Sequence, residues 1–203
     1  PSDHLNINTN SFVSLINTAV TEANQGQLVT LGIQPSRPDT GYGYIEVEPG
    51  QHAAGSVKKV HRFCEKPSLD VAKSFVEEGN YFWNSGIFIW RADVILDAMK
   101  LYSNALYHIF CESLGSYNTP MEEEFMRNAF SAAEDISIDF AVMEHATNVS
   151  VVLSDFDWSD LGTWGSLIDH MQKDSNGNAV VGNNVHLFET NNCLIHLPKD
   201  KVV

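Results

Sequence analysis

Six positions in this chain carry residue types suited to holding a small phosphorylated ligand: Asp3, Gly43, Glu65, Lys66, Asn84 and Asp160. Asp3 and Asp160 are carboxylates beside apparent strand ends. Two such groups suffice for a magnesium ion that takes its other oxygens from phosphate and water, and Mn²⁺ accepts the same ligands. Lys66, between Glu65 and Pro67, is expected in an extended, rigid position at a strand end, where its point charge suits a phosphate monoester. Glu65 can accept hydrogen bonds from hydroxyl groups without any pKa shift, and the Asn84 amide can bind hydroxyls too. Gly41 and Gly43, flanking Tyr42, mark either a close approach of backbone to ligand or a bulge.

Each of these also has a purely structural reading. Asp160 can cap a helix beginning near Thr163. Glu65 and Lys66 can be a surface pair worth almost nothing, and Asn84-Ser85-Gly86 can simply close a turn. Asp155, Asp157 and Asp160 have some calcium-loop character, but Ser166 stands where a bidentate Glu is required. The histidines lack paired metal-binding spacing, and Cys64, Cys111 and Cys193 form no C-x-x-C pair, so neither a zinc site nor a disulfide framework is suggested.

The elements that must position these groups alternate between helix and strand. From Phe12, Leu15, Ile16, Ala19, Val20 and Ala23 recur at helical spacing, with Asn10 or Ser11 as N-cap and Gly26 as the stop. Leu28 to Ile33 reads as a strand buried on both faces of a parallel sheet. Strands are expected over Tyr42 to Val47, Val57 to Phe63, Ile87 to Trp90 and Val149 to Leu153. A helix opens at Pro67-Ser68 and ends at Gly79. Residues 92–132 read as largely helical, broken near Gly115 to Pro120, and Ser137 caps a further helix. Beyond Lys173, Asn191-Asn192 is expected to turn a hairpin between His186–Phe188 and Cys193–Ile195. The expected division is a domain over 1–173 and the start of a β-rich region over 174–203.

Composition narrows the chemistry further. The chain has 203 residues, 43% of them hydrophobic, which is enough for a substantial core. Twelve Lys and Arg against 26 Asp and Glu give a formal net charge of -14, which argues against a nucleic-acid surface. A phosphorylated ligand must therefore be small and held locally, with a cation to offset the repulsion. No apolar run approaches membrane-spanning length and no secretion signal is evident, so a reducing, cytoplasmic setting is expected, with no membrane partner. The chain begins at Pro1 rather than Met and reads as a piece of something longer.

In order and spacing, T-G-Y-G-Y-I (40–45), F-C-E-K-P (63–67), W-N-S-G-I-F (83–88), S-I-D-F-A-V-M-E (137–144) and W-S-D-L-G-T-W (158–164) resemble the nucleotidyltransferases that activate sugar 1-phosphates. Within them they are most similar to the mannose-1-phosphate guanylyltransferases. The resemblance runs nearly end to end. It implies a Rossmann-like α/β sheet with helices on both faces, followed by a β-helical or β-rich piece that assists homodimer formation. It implies formation of GDP-mannose from GTP and mannose 1-phosphate, with Asp3 and Asp160 on Mg²⁺, Lys66 on the sugar phosphate, and Gly43, Glu65 and Asn84 lining the sugar pocket. The Gly-rich loop with which such enzymes open is not in this sequence, so the chain alone is expected to be inactive. The rival expectations are an enzyme for another hexose 1-phosphate and a non-catalytic binding module of the same fold.

Overall fold

A computed structural model describes residues 5–6, 8–111, 114–154, 158–162 and 164–198. In chain order the elements are β1 (Leu5–Asn6), α1 (Thr9–Ala23), β2 (Leu28–Ile33), β3 (Tyr44–Glu46), β4 (Val57–Lys59), β5 (Arg62–Cys64), α2 (Leu69–Glu78) and β6 (Tyr81–Ile89). There follow α3 (Ala92–Tyr102), α4 (Asn104–Cys111), α5 (Glu122–Ala132), a π-helical turn (Asp139–Met143), β7 (Val149–Ser154), β8 (Trp158–Ser159), α6 (Trp164–Asp169), β9 (Ala179–Val181) and β10 (Leu194–His196). They form two compact units, residues 8–156 and residues 157–203 with 1–7.

The larger unit is built on a six-stranded mixed sheet in the order β4-β7-β2-β6-β3-β5. β2 lies at its centre with all six residues buried, as its β-branched, apolar run requires. It runs parallel to β7 but antiparallel to β6, so the expected all-parallel setting holds on one side only. Side-chain alternation assigns the two faces. Leu28, Ile45, Val47, Phe63, Phe82, Val149, Val151 and Leu153 form one apolar cluster with Ala98 of α3 and with Ala141, Val142 and Met143 of the π turn. On the opposite face, α1 buries Leu15, Ala19 and Ala23, and its Glu22 accepts a hydrogen bond from Ser150 of β7. α2 covers the same face, its Phe75 stacked on Tyr81 with ring centroids 3.9 Å apart. Helices thus lie on both faces.

Local signals explain most helix ends. Gly79 terminates α2 in the left-handed conformation at φ 74°, open to glycine because it lacks a Cβ. α1 is capped by Asn8, whose side chain accepts from the Ser11 N–H, rather than by Asn10 or Ser11. The expected strand over 57–63 is two strands, β4 paired with β7 and β5 paired with β3. The expected strand at 87–90 begins six residues earlier, at Tyr81.

In the smaller unit β1 pairs antiparallel with β8, Leu5 opposite Ser159. The hairpin expected at Asn191-Asn192 does not form. Residues 186–188 are not a strand, and β9 instead pairs in parallel with β10, as in one coil of a solenoid. The coil is held by Asn178, buried, which donates to Asp174 and to the Thr190 carbonyl while accepting from the Cys193 N–H.

Candidate active site

Gly43, Glu65 and Asn84 come together in the larger unit because of strand register. Tyr44 pairs with both Cys64 and Trp83, so the residues one step along, Gly43 and Glu65 just past the ends of β3 and β5 and Asn84 within β6, lie side by side across three strands. The Gly43 carbonyl accepts from the Asn84 backbone N–H at 2.8 Å. Alternation turns these positions to the face carrying Ile45, Phe63 and Phe82, and there the Glu65 carboxylate fills the space where a Cβ on Gly43 would stand. This is a close approach of a side chain to backbone, a reason for glycine at 43 distinct from the two expected from sequence.

Lys66 reaches back to Glu65, with Nζ 3.0 Å from Oε1. The pair is asymmetric, since the Glu65 side chain is 9% exposed and that of Lys66 62%. The ammonium therefore faces solvent while its counter-ion is buried, so a ligand can reach the Lys without displacing the Glu. Lys66 is not extended as expected. Its φ is +45°, a left-handed conformation costing about 1–2 kcal/mol for a side-chain-bearing residue. Two local bonds favour this turn, the Lys66–Glu65 pair and a bond from the Glu65 N–H to Glu144 Oε1 at 3.1 Å. Strain of this kind concentrates at ligand sites.

Asn84 lies inside β6 rather than in a turn before it. The Asn-Ser-Gly turn signal is expressed as an irregularity within the strand, with Gly86 at φ 69° and a register shift against β2 between Thr30 and Gly32. Its amide oxygen accepts from the Thr30 hydroxyl at 2.8 Å and from the Gly86 N–H at 3.3 Å. Its amide nitrogen donates to Asp139 Oδ1 at 3.0 Å.

Thr30, Asp139 and Glu144 were not singled out as site residues from sequence. Asp139 and Glu144 fall within the S-I-D-F-A-V-M-E segment, but no spacing rule points to either. Burial pushes the Glu65 carboxyl above its ordinary range, and the neighbouring Asp139 charge adds to this against the Lys66 bond. Burial likewise raises Asp139, opposed by its own backbone N–H, Ser137, Lys66 and Asn84. The site thus gathers carboxylate acceptors and one amide beside the solvent-facing Lys66 ammonium.

Asp160 belongs to the smaller unit, one residue past β8, and its Oδ1 accepts from the Gly162 N–H at 3.1 Å in an Asx turn. Asp3 lies outside the described residues, as do Asp155 and Asp157. Among the described residues no group of three or more His, Cys, Asp or Glu side chains could hold a metal.

The family model for nucleotidyl transferases matches residues 1–177. The chain belongs to this family. The mannose-1-phosphate guanylyltransferase of Sinorhizobium fredii is 40% identical to this nucleotidyl transferase over 199 residues, covering 96% of the chain and 38% of that protein. The mannose-1-phosphate guanylyltransferase of Escherichia coli is 36% identical over 203 residues, covering 97% and 43%. A solved structure from Thermus thermophilus, described as a mannose-1-phosphate geranyltransferase, matches with a TM-score of 0.81 at 30% identity, over 97% of this chain and 56% of its own. The chain spans about two fifths of the length of these two curated relatives.

Proposed function

We propose that the protein carrying this chain is a mannose-1-phosphate guanylyltransferase, joining GTP and mannose 1-phosphate into GDP-mannose and releasing pyrophosphate. The observation that carries the proposal is the conjunction at residues 43, 65, 66 and 84. A largely buried carboxylate past the end of β5 and a buried amide within β6 lie side by side, and the Lys66 ammonium stands exposed beside them. That arrangement suits a sugar hydroxyl face next to a phosphate monoester. Similarity to curated guanylyltransferases over nearly the whole chain supports mannose as the sugar and GTP as the nucleotide.

In this reading an oxygen of the sugar phosphate attacks the α-phosphorus of GTP in line. The new P–O bond forms as the bond to pyrophosphate breaks, with no covalent enzyme intermediate. Lys66 holds the attacking phosphate and offsets its charge, while Glu65 and Asn84 orient the sugar and Gly43 leaves room for it. Asp160 and Asp3 are assigned to Mg²⁺, with Mn²⁺ as an acceptable substitute, because carboxylate oxygens are the donors that hard cations take. The antiparallel ladder supports the pairing of these two. Asp160 directly follows Ser159, and in sequence Asp3 is two residues before Leu5, the residue that pairs with Ser159. When bound, the cation would neutralise nucleotide phosphate charge.

The domain assignment is a nucleotidyl transferase domain over 1–173 and the start of a β-rich region over 174–203, which the parallel β9–β10 coil supports. The assembly and location that go with this reading are a homodimer in the cytoplasm, where the unpaired Cys64, Cys111 and Cys193 suit a reducing setting. The test is a substrate panel on the complete protein. The expected result is preference for GTP with mannose 1-phosphate. Preference for UTP or dTTP with glucose 1-phosphate would overturn the assignment, and absence of turnover with every pair would favour a binding module.

A further inference from the structure

Asn84 has almost no hydrogen-bonding freedom left. Its amide oxygen is occupied by two donors, Thr30 and Gly86, and one of its two amide hydrogens goes to Asp139. An ionised carboxylate can only accept, so it forces the nitrogen of the amide to face it and the oxygen to face Thr30. What remains for a ligand is one N–H, pointing in one direction. Without an acceptor held at that place the amide could turn over and offer either a donor or an acceptor.

The π turn makes this arrangement possible. In an α-helix residues five apart point roughly 140° away from each other, given 3.6 residues per turn. Here the Glu144 N–H bonds to the Asp139 carbonyl at 3.0 Å, the i→i+5 bond of a π turn, which stacks the two residues on one side. Asp139 thereby reaches Asn84 on β6 while Glu144 reaches the Glu65 N–H at the end of β5. One turn of chain grips both strands that flank Gly43.

We propose that Asp139 is a positioning residue of the sugar pocket: anchored by the π turn, it fixes the Asn84 amide as a one-directional donor to a sugar hydroxyl. This rests on the reading of Asn84 as a sugar contact. A half-buried carboxylate near Glu65 is a destabilising way to hold one amide, since like charges brought together in a low dielectric oppose ionisation. Asp139 answers a need for a fixed acceptor rather than a need for stability.

The experiment compares Asp139→Asn, Asp139→Ala and wild type in the complete protein, with two readouts. The first needs no ligand: nitrogen-15 NMR of the Asn84 side-chain amide. Wild type and Asp139→Asn should show one amide proton shifted and slow to exchange, and Asp139→Ala should lose both signs. The second is kinetic. Asp139→Ala should raise KM for mannose 1-phosphate about 10-fold, the size of one lost hydrogen bond, with KM for GTP unchanged. Asp139→Asn, which keeps an acceptor oxygen, should restore it to within about 3-fold.

An Asn84 amide unchanged by Asp139→Ala, or a rise in both KM values together, overturns the proposal. If the alanine variant does not fold, Asp139→Leu, which removes the acceptor while filling its space, must give the same resonance change and the same selective rise in KM, and failure there overturns it equally. The two claims separate cleanly. A fixed amide in a protein that ignores mannose 1-phosphate sinks the substrate assignment alone, whereas a free amide in a working guanylyltransferase sinks the positioning role alone.

Discussion

Gly43 has no side chain where the Glu65 carboxylate needs the space. A methyl group there would push that carboxylate aside, and because the carboxylate is the mobile end of a side chain, the fold would yield little. Gly43→Ala should therefore cost under about 1 kcal/mol of stability, the scale of the Glu65–Lys66 pair it disturbs. Mannose 1-phosphate binding should nevertheless fall about 10-fold or more, one or two hydrogen bonds' worth, measured by calorimetric titration against thermal denaturation of the same samples. Loss of stability without loss of binding would mean that Gly43 serves packing alone. Glu65 itself gives a pH signature. Its folded-state pKa is raised by burial, so between the ordinary carboxylate range and that raised value the folded state holds the proton more tightly than the unfolded chain. Stability from this group is present at low pH and is lost as pH rises through the folded pKa. Glu65→Gln should accordingly melt higher than wild type at pH 7, with the gap closing below about pH 4, the ordinary carboxylate range. A variant less stable than wild type at pH 7 would show that the Lys66 pair outweighs desolvation.

At the scale of elements, β2 is the strand on which the sheet depends. A Cβ on its Gly32 would meet Val151 Cγ2 at 2.7 Å, Leu153 Cδ2 at 3.2 Å and Phe82 Cβ at 3.3 Å, all in the core. Gly32→Ala should destabilise by about 1–3 kcal/mol as an overpacked interior does, read from the urea midpoint, and a change under about 0.5 kcal/mol would contradict that packing. β2 and α2 were legible because their signals are local: a short, largely apolar run with β-branched residues in one, and Pro67-Ser68 with Gly79 bracketing the other. The strand over 57–63 was not. Val60 and His61 separate two halves that pair with different partners, a long-range choice that alternation does not encode. Asn84 was legible as a site residue but not as a strand residue, since its turn signal is spent on an irregularity inside β6. Asp139 and Glu144 were hidden for a geometric reason. Five-residue spacing points to a shared face only once a π turn is present, and nothing in residues 137–144 announces one. The C-terminal coil was misread because Asn191-Asn192 suits a hairpin, while the buried Asn178, reaching Thr190 and Cys193, draws that segment alongside β9 in parallel.

For the molecule as a whole, the net charge of -14 sets the terms for any phosphorylated ligand. Repulsion over the surface must be offset locally, and the proposed function assigns this to Lys66 for the sugar phosphate and to a cation at Asp160 and Asp3 for the nucleotide. Asp160→Asn in the complete protein should lower turnover by at least about 100-fold, because losing a direct metal ligand exceeds the 10–100-fold typical of the groups behind one. Excess Mg²⁺ should recover part of the loss, and unchanged turnover would leave Asp160 with a structural role such as the Asx turn at Gly162. The measurement that reaches the central claim most directly is a crystal structure of the complete protein with mannose 1-phosphate. The account predicts the sugar against Gly43, Glu65 and Asn84, with an oxygen of its phosphate within about 3 Å of Lys66 Nζ, the length of a charge-assisted hydrogen bond. A sugar phosphate bound elsewhere, with Lys66 still turned onto Glu65 alone, would contradict it.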